Sequence, residues 1–380
     1  MTSTPGQVTF PSTAQVGTSR LRSGILGAGF IGEVHARAIR AAGGTLAAVA
    51  EATPAGSEAA ARRLGASWAA PDAEALITSD DVDVVHICTP NHLHAPLVKL
   101  ALESGKHVIC EKPLAVSVDQ AEQLVAAAAS AGVISAVPFV YRYYPTVREA
   151  RSRVARGDAG TLRLLHGSYL QDWLSSASDQ NWRVDPTLGG ASRAFADIGV
   201  HWCDVVEFTT GHRITALTAR MLTAVPARQS GAGMRAVGTE DAATLLFETD
   251  GGALGSLVVS QVSPGRKNRL WFSLDGAENS LVFDQELPES LWVGSRDATR
   301  LILRGSSAMA PEALRHSVLP AGHPQGYQDC FNGLVSDVYN AVSGEPADGM
   351  PTFVDGLRAA RLTSAVLASA ADQSWVEVAS

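Results

Sequence analysis

The sequence predicts an α/β fold in two parts. A doubly wound parallel sheet comes first, then an α+β unit built on an open, mostly antiparallel sheet. Three observations carry this reading. Short apolar runs alternate with helical patterns from residue 21 to about 137. The runs are apolar on both faces, as in Val-Asp-Val-Val-His-Ile at 82–87, and such strands need helices above and below. From about residue 215 to 293, strand patterns follow one another with only turns between, as antiparallel sheets do.

Residues 21–26 read as the first strand and 31–42 as the first helix, with a glycine-rich turn between. A strand over 45–50 leads to a helix over 54–64, and the buried run 82–87 is the next strand. A helix over 92–104, a strand over 107–110, an alanine-rich helix over 117–131 and a strand over 133–137 complete the alternation. The rhythm then changes. A helix near 145–156 precedes a strand over 162–169, and another helix lies near 196–210. Strands over 242–248, 253–262, 269–274 and 280–283 are divided by turn signals such as Asp250-Gly251-Gly252 and Asp275-Gly276. Helices near 327–342 and 354–371 close the chain.

Gly27-Ala28-Gly29-Phe30-Ile31-Gly32 ends the first strand and opens the first helix. The first glycine permits the tight turn, the second lets backbone approach a pyrophosphate, and the third lets helix pack closely on strand. The helix N-terminus adds N–H groups and the positive end of its dipole. Alone the pattern is common; here it lies in a βαβ unit, and an acidic residue ends the second strand. Glu51, 19 residues after Gly32, is placed to accept from both ribose hydroxyls and to repel a 2′-phosphate. Ala52 and Thr53 bring no arginine to such a phosphate. This favours NAD over NADP, against the plainer view of a glycine-rich turn beside a surface glutamate. The division that follows is a tail over 1–19, a dinucleotide-binding Rossmann domain over 20–138, and a second, α+β domain over 139–380, to which the family resemblance given below assigns substrate binding and oligomerisation. The C-terminal helix is expected to pack back on the Rossmann domain.

Cys110-Glu111-Lys112-Pro113 ends a strand of the parallel sheet, and ligands bind beyond the carboxyl ends of such strands. A lysine there reaches a substrate hydroxyl beside a nicotinamide; an ordinary solvated lysine also often follows a strand. The Lys112–Pro113 bond is open to either isomer. A third pattern follows Gly189-Gly190. Asp197 and His201 are four apart and share one face of a helix. A carboxylate beside an imidazole orients it and raises its basicity, producing a general base near neutral pH. A helix-capping Asp and a partly buried His give the same spacing.

Together, the glycine turn, Thr89-Pro90-Asn91-His92-Leu93-His94, the stretch Cys110 to Ala115 and Asp197-Ile198-Gly199-Val200-His201 resemble one family. It is the glucose-fructose oxidoreductase / inositol dehydrogenase / rhizopine catabolism (Gfo/Idh/MocA) family, and the resemblance spans nearly the whole chain after the tail. It implies a Rossmann domain and a C-terminal domain whose open sheet carries the substrate site and the interface of a homodimer or homotetramer. It implies Lys112, Asp197 and His201 as the catalytic set. The cofactor site it implies comprises Gly27, Gly29, Phe30, Ile31, Gly32, Glu51, Thr89, Pro90, Asn91, His94, Glu111, Lys112 and Arg183. The sequence departs from the family at Val140, where many relatives carry Asn, and at Ala191, where a third Gly is common. Both positions border the expected sugar pocket.

On the substrate side, Gln171, Asp172 and Trp173 end a strand. An aromatic face with amide and carboxylate neighbours suits a sugar, although a surface loop with a packed Trp has the same composition. Tyr141 and Arg142 follow the last parallel strand and are expected to border the nicotinamide or the substrate; His323 and Tyr327 are placed to close the pocket. The implied reaction moves a hydride between NAD and a secondary alcohol of a sugar, anhydrosugar or cyclic polyol. His201 takes the hydroxyl proton, Asp197 orients the ring, and Lys112 stabilises the developing negative charge. Two other readings share these residues: a glycosidase that oxidises C3 transiently with NAD, and a non-catalytic dinucleotide sensor.

Composition removes other classes. The 380 residues are 46% hydrophobic and 18% charged, which supplies a core and argues against disorder. No apolar run approaches the roughly 18 residues of a membrane span, so no membrane partner is expected. The net charge is −8, the lysines are Lys99, Lys106, Lys112 and Lys267, and no basic stripe points to nucleic acid. Cys88, Cys110, Cys203 and Cys330 are too scattered for a disulfide framework or zinc ribbon. His86, Cys88, His92 and His94 crowd one stretch without the convergence that a metal needs, so no metal is expected. The first 19 residues carry no charge and lack the regions of a secretory signal, so a cytoplasmic location is expected.

Overall fold

The computed structural model describes residues 20–230, 233–346 and 348–379. The tail expected over 1–19 lies outside them. Six short strands form the first sheet: Arg22–Leu26 (β1), Thr45–Ala50 (β2), Trp68–Ala69 (β3), Val84–Ile87 (β4), His107–Cys110 (β5) and Ser135–Ala136 (β6). Their order is β3-β2-β1-β4-β5-β6, and every pairing is parallel. All four residues of β4 are buried, because helices cover both faces. Two of those helices, Pro54–Leu64 and Val118–Ala131, start on side-chain caps: Thr53 accepts from the Gly56 N–H, and Ser117 from the Gln120 N–H. The chain departs from β1 toward β2 on one side and toward β4 on the other. This reversal opens a crevice at the carboxyl ends of the strands.

β3 and the helix Ala73–Ile77 were not anticipated, since two- and five-residue elements leave no periodic signal. The helix expected over 92–104 begins as a 3₁₀ turn, Asn91–Leu93, before the α-helix His94–Glu103.

The remaining strands are Leu162–Leu170 (β7), Ile214–Leu222 (β8), Ala227–Ser230 (β9), Gly233–Ala236 (β10), Ala242–Thr249 (β11), Leu254–Ser260 (β12), Arg269–Gly276 (β13), Asn279–Asp284 (β14), Ser290–Ser295 (β15), Thr299–Leu303 (β16) and Val376–Glu377 (β17). Apart from the β9–β10 hairpin, they form one sheet in the order β16-β15-β14-β13-β7-β12-β11-β8-β17. The β7–β12 pairing is parallel and the others are antiparallel. On β11, Ala243, Leu245 and Phe247 point inward while Thr244, Leu246 and Glu248 are exposed, the period-2 alternation of a sheet with one covered face. Helices Pro145–Ala155, Val200–Thr210 and Phe353–Asp372 cover the inner face.

The last two helices return to the first sheet's helices. Helix Tyr327–Val342 packs on Phe30–Ala41, where Gln328 Nε2 donates to the Val34 carbonyl at 3.1 Å and Tyr339 shares a 2.6 Å hydrogen bond with Ser23. Helix Phe353–Asp372 packs on Val118–Ala131. Among the described residues, no helix is long and apolar enough to cross a membrane.

Candidate active site

The carboxyl ends of β1, β2, β4 and β5 open into a cleft of about 1020 Å³, whose far wall comes from β7 and the helix carrying His201. That is room for a dinucleotide with a small molecule beside it. At one end lies the glycine turn. Gly27 has a φ of +86°, and a Cβ there would lie 2.8 Å from the Cys88 carbonyl oxygen. A Cβ on Gly32 would lie 2.3 Å from the Gly27 oxygen, so helix and strand meet there with no room for a side chain. A Cβ on Gly29 would meet nothing within 4 Å; this backbone faces open cleft at the helix start. Phe30 and Ile31 also line this end. Glu51 is fixed across it, its Oε1 accepting from the Ala28 N–H at 2.5 Å. An arginine does come near: Arg63 Nη2 donates to the Ala28 carbonyl at 2.6 Å, but Glu33 holds the same guanidinium.

Thr89, Pro90 and Asn91 form the middle of the wall. The Thr89 hydroxyl is buried without a partner among the described residues, while Asn91 Nδ2 donates to the Gly189 carbonyl at 2.8 Å. His94 is fully buried, with ring nitrogens 2.9 Å from the Thr89 carbonyl and 2.7 Å from the Pro113 carbonyl. It ties the loop after β4 to the loop after β5. The Lys112–Pro113 peptide is cis. An orphaned hydroxyl, an open glycine and a carboxylate at the end of β2 fit NAD.

At the other end, Lys112 Nζ donates to Asp197 Oδ1 at 2.7 Å and to the Asp197 carbonyl at 2.8 Å. Arg183 Nε lies 3.2 Å from the same Oδ1, its guanidinium stacked on Trp182. Gln261 Nε2 donates to Oδ2 at 2.7 Å. Burial alone would raise the Asp197 carboxyl; Lys112 and then Arg183 outweigh it and hold it well below the usual carboxylate range. His201 is shifted the other way. Burial, and then the Lys112 charge, push its imidazole well below its usual value, with Asp197 opposing only in part. The ring is therefore neutral at pH 7. It sits among the rings of Phe139, Tyr141 and Tyr169, with centroids at 5.7, 5.1 and 6.4 Å.

Two family profiles match the chain: "Oxidoreductase family, NAD-binding Rossmann fold" over residues 21–139, and "GFO/IDH/MocA C-terminal domain" over residues 147–282. The chain belongs to the Gfo/Idh/MocA oxidoreductase family. It is similar to levoglucosan dehydrogenase of Pseudarthrobacter phenanthrenivorans, at 32% identity over 94% of this chain and 98% of that one. It is also similar to inositol 2-dehydrogenase of Rhizobium meliloti, at 24% identity over 94% of this chain and 99% of that one. A solved structure described as levoglucosan dehydrogenase in complex with NADH and L-sorbose superposes with a TM-score of 0.90 at 30% identity, covering 95% of this chain and 100% of that one. As a Gfo/Idh/MocA member the chain is an NAD-dependent oxidoreductase.

Within this Gfo/Idh/MocA site some expectations need correction. Asp197 does not hydrogen-bond His201, whose Nδ1 is buried and has no partner among the described residues. Asp197 lies in a π-helical turn, Phe195–Gly199, that precedes the α-helix Val200–Thr210, and this wider turn breaks the α-helical stacking of positions four apart. Arg142 does not reach the cleft. It is buried between Asp204 and Asp355, with its guanidinium 5.0 Å from the Phe208 ring centre. Asp172 points away and pairs with Lys267 at 2.7 Å, because extended backbone alternates its faces and only Tyr169 and Gln171 turn to the cleft. Trp173 backs Gln171, donating from Nε1 to Oε1 at 2.7 Å, and does not line the cleft. Tyr327 reaches the cleft; His323 does not.

Three positions escaped the sequence reading. Asn268 precedes β13 and joins the Tyr141, Tyr169 and Gln171 network: its Oδ1 accepts from Tyr169 at 2.8 Å and from Gln171 at 2.7 Å. No spacing marks it. Tyr169 was legible as the residue two before Gln171 on the same strand face. Gln261 follows β12 and touches Asp197 only through the tertiary fold.

Proposed function

We propose that the chain is an NAD-dependent dehydrogenase of sugars, anhydrosugars or cyclic polyols, transferring hydride to or from a secondary alcohol carbon. One observation carries the reading. A buried Lys112–Asp197 pair and the buried imidazole of His201 share the cleft end opposite the glycine turn. The adjoining wall supports a hydroxyl-rich substrate. Gln171, Asn268 and Tyr169 offer amide and phenol groups, and Tyr141 and Tyr327 offer ring faces. The names of the relatives point to the same class of molecule.

In the proposed mechanism NAD supplies the hydride acceptor. His201 removes the hydroxyl proton. Its neutral ring is held for this by the packed aromatic rings rather than by Asp197. Lys112 donates to the same oxygen and stabilises its growing negative charge. Asp197 holds the Lys112 ammonium in place, and its charge favours the imidazolium that forms. Gly27, Gly29, Phe30, Ile31 and Gly32 cradle the pyrophosphate. Glu51 accepts from the adenosine ribose, and Thr89, Pro90, Asn91, His94, Glu111 and Arg183 complete the cofactor wall. In this reading residues 20–138 bind NAD, residues 139–380 bind substrate and build the assembly, and the unpaired cysteines suit the reducing cytoplasm.

The test is to mix the protein with NAD⁺ or NADP⁺ and panels of sugars, inositols, anhydrosugars and glycosides, and follow absorbance of the reduced cofactor. Reduction of NAD⁺ by one carbohydrate group is expected. Release of an aglycone with no net reduction would replace the dehydrogenase by a redox-assisted hydrolase.

Glu51 supplies a second test. Glu51→Ser removes a charged acceptor for ribose hydroxyls, a change of about 1.5–3 kcal/mol. The preference for NAD⁺ over NADP⁺ in kcat/KM should fall about 10- to 100-fold. An unchanged preference would remove Glu51 from the discriminating contacts.

The oligomer is a further expectation. On the outer sheet face Leu164, Leu246, Leu254 and Val258 are 48, 54, 55 and 44% exposed on the adjacent strands β7, β11 and β12. An apolar patch on neighbouring strands favours a self-complementary contact. Light scattering on the eluted protein should give at least twice the 39.7 kDa of one chain, and Leu246→Asp with Val258→Asp should give monomers. A monomeric wild-type protein would rule this interface out.

A further inference from the structure

From Glu111 in the cofactor wall a buried chain of three titratable side chains runs inward, to two histidines that the proposed reaction does not use. Glu111 follows β5 and lines the cleft. Its Oε1 sits 3.1 Å from Nε2 of His35, on the first helix, and Nδ1 of His35 sits 2.8 Å from Nδ1 of His86, on β4. Both histidines are completely buried, Phe331 packs edge-to-face on His35, and Nε2 of His86 has no partner among the described residues.

The donors can be assigned from chemistry. A carboxylate only accepts, so His35 presents an N–H to Glu111, and the two Nδ1 atoms share one proton between them. Burial by itself pushes the Glu111 carboxyl up. The His35 hydrogen bond, with the Lys112 charge beside it, outweighs burial and holds the group below the usual carboxylate range. The two carboxylates at this end then differ in kind. Asp197 is shared by Lys112, Arg183 and Gln261. Glu111 Oε2 accepts from the backbone N–H of Lys112 at 3.2 Å, and no side-chain cation hydrogen-bonds to it among the described residues.

The two redox states of NAD differ by a positive charge on the nicotinamide ring. We propose that Glu111, aimed by His35 and His86, biases the cofactor site toward oxidised NAD. His35 and His86 are then positioning residues that act through Glu111. At an effective dielectric near 20, a carboxylate within about 10 Å of a cation changes affinity for the charged form by about tenfold or more, and an uncharged ring gains nothing. A site with this bias suits oxidation of the alcohol, since it binds NAD⁺ firmly and releases NADH. The proposal rests on the dinucleotide site and on the Lys112 end of the cleft being the hydride-transfer end.

The experiment measures dissociation constants for NAD⁺ and NADH by tryptophan fluorescence, with the full chain, in wild type, Glu111→Gln, His35→Leu and His35→Gln. Glu111→Gln should weaken NAD⁺ about tenfold and leave NADH nearly unchanged. His35→Leu should move the same ratio part of the way. His35→Gln, which still offers an N–H to Glu111, should stay close to wild type. An unchanged ratio in Glu111→Gln overturns the proposal. Equal loss of both forms does so too, because Glu111 would then only shape the site. If His35→Leu fails to fold, the other two variants still decide. A wild-type chain that binds neither form would overturn the dinucleotide site and this proposal with it. A shifted ratio without turnover of any carbohydrate would sink the substrate reading and leave this one standing.

Discussion

Lys112→Met should lower kcat by about 10²- to 10³-fold while the dissociation constant for NAD⁺ stays near wild type. The magnitude is that of removing one donor aimed at a developing oxyanion. Lys112 is the donor whose position the fold defines most tightly, through two bonds to Asp197 at 2.7 and 2.8 Å. Its loss does not strand Asp197. Arg183 and Gln261 still reach the carboxylate, which limits the cost of breaking a buried pair. The variant is therefore expected to fold, and steady-state kinetics beside cofactor titration separates a catalytic defect from a binding one. Near-normal turnover would show that Lys112 does not touch the reacting oxygen. Loss of NAD⁺ binding instead would make it a cofactor ligand.

The second large effect concerns His201. His201→Ala should cost about 10²- to 10⁴-fold in kcat, the range for a lost general base. The pH profile gives an independent check. A base works unprotonated, and burial and the Lys112 charge both disfavour the imidazolium. The acid limb of kcat/KM should therefore lie below the ordinary imidazole value of 6.5, with activity retained as pH falls through that point. Removing the Lys112 charge takes away one of those two effects, so the limb of Lys112→Met should move toward higher pH. An acid limb above 6.5 in wild type, or no movement in the variant, would point to another base.

Much of this site was legible because its chemistry is local in sequence. The glycine turn, Glu51, Thr89 and Lys112 line one cleft, as strand-end motifs of a doubly wound sheet must, and Asp197 and His201 line it from a π-helical turn and the helix after it. What local reasoning missed has a common cause. Arg142 looked available because it follows Tyr141, yet a 3₁₀ turn sends neighbouring side chains in different directions, one to the cleft and one to Asp204 and Asp355. Gln171, Asp172 and Trp173 read as one cluster, but the strand ends at Leu170 and the chain enters a turn at Trp173, so only Gln171 lines the cleft. Asn268 and Gln261 belong to strand ends 97 and 64 residues from their partners Gln171 and Asp197, and no spacing rule spans such distances.

The sequence by itself determined the strand–helix alternation of the parallel sheet, the place of the dinucleotide turn and the side chains available for proton transfer. Each of these depends on residues a few positions apart, where periodicity and backbone sterics act. The tertiary structure alone decided which side chains hold one another. It gave Asp197 to Lys112, Arg183 and Gln261 rather than to His201, and it brought Glu111, His35 and His86 from three separate elements into one buried chain. Burial makes these pairings strong, and burial is set by packing between elements rather than by any one stretch of sequence.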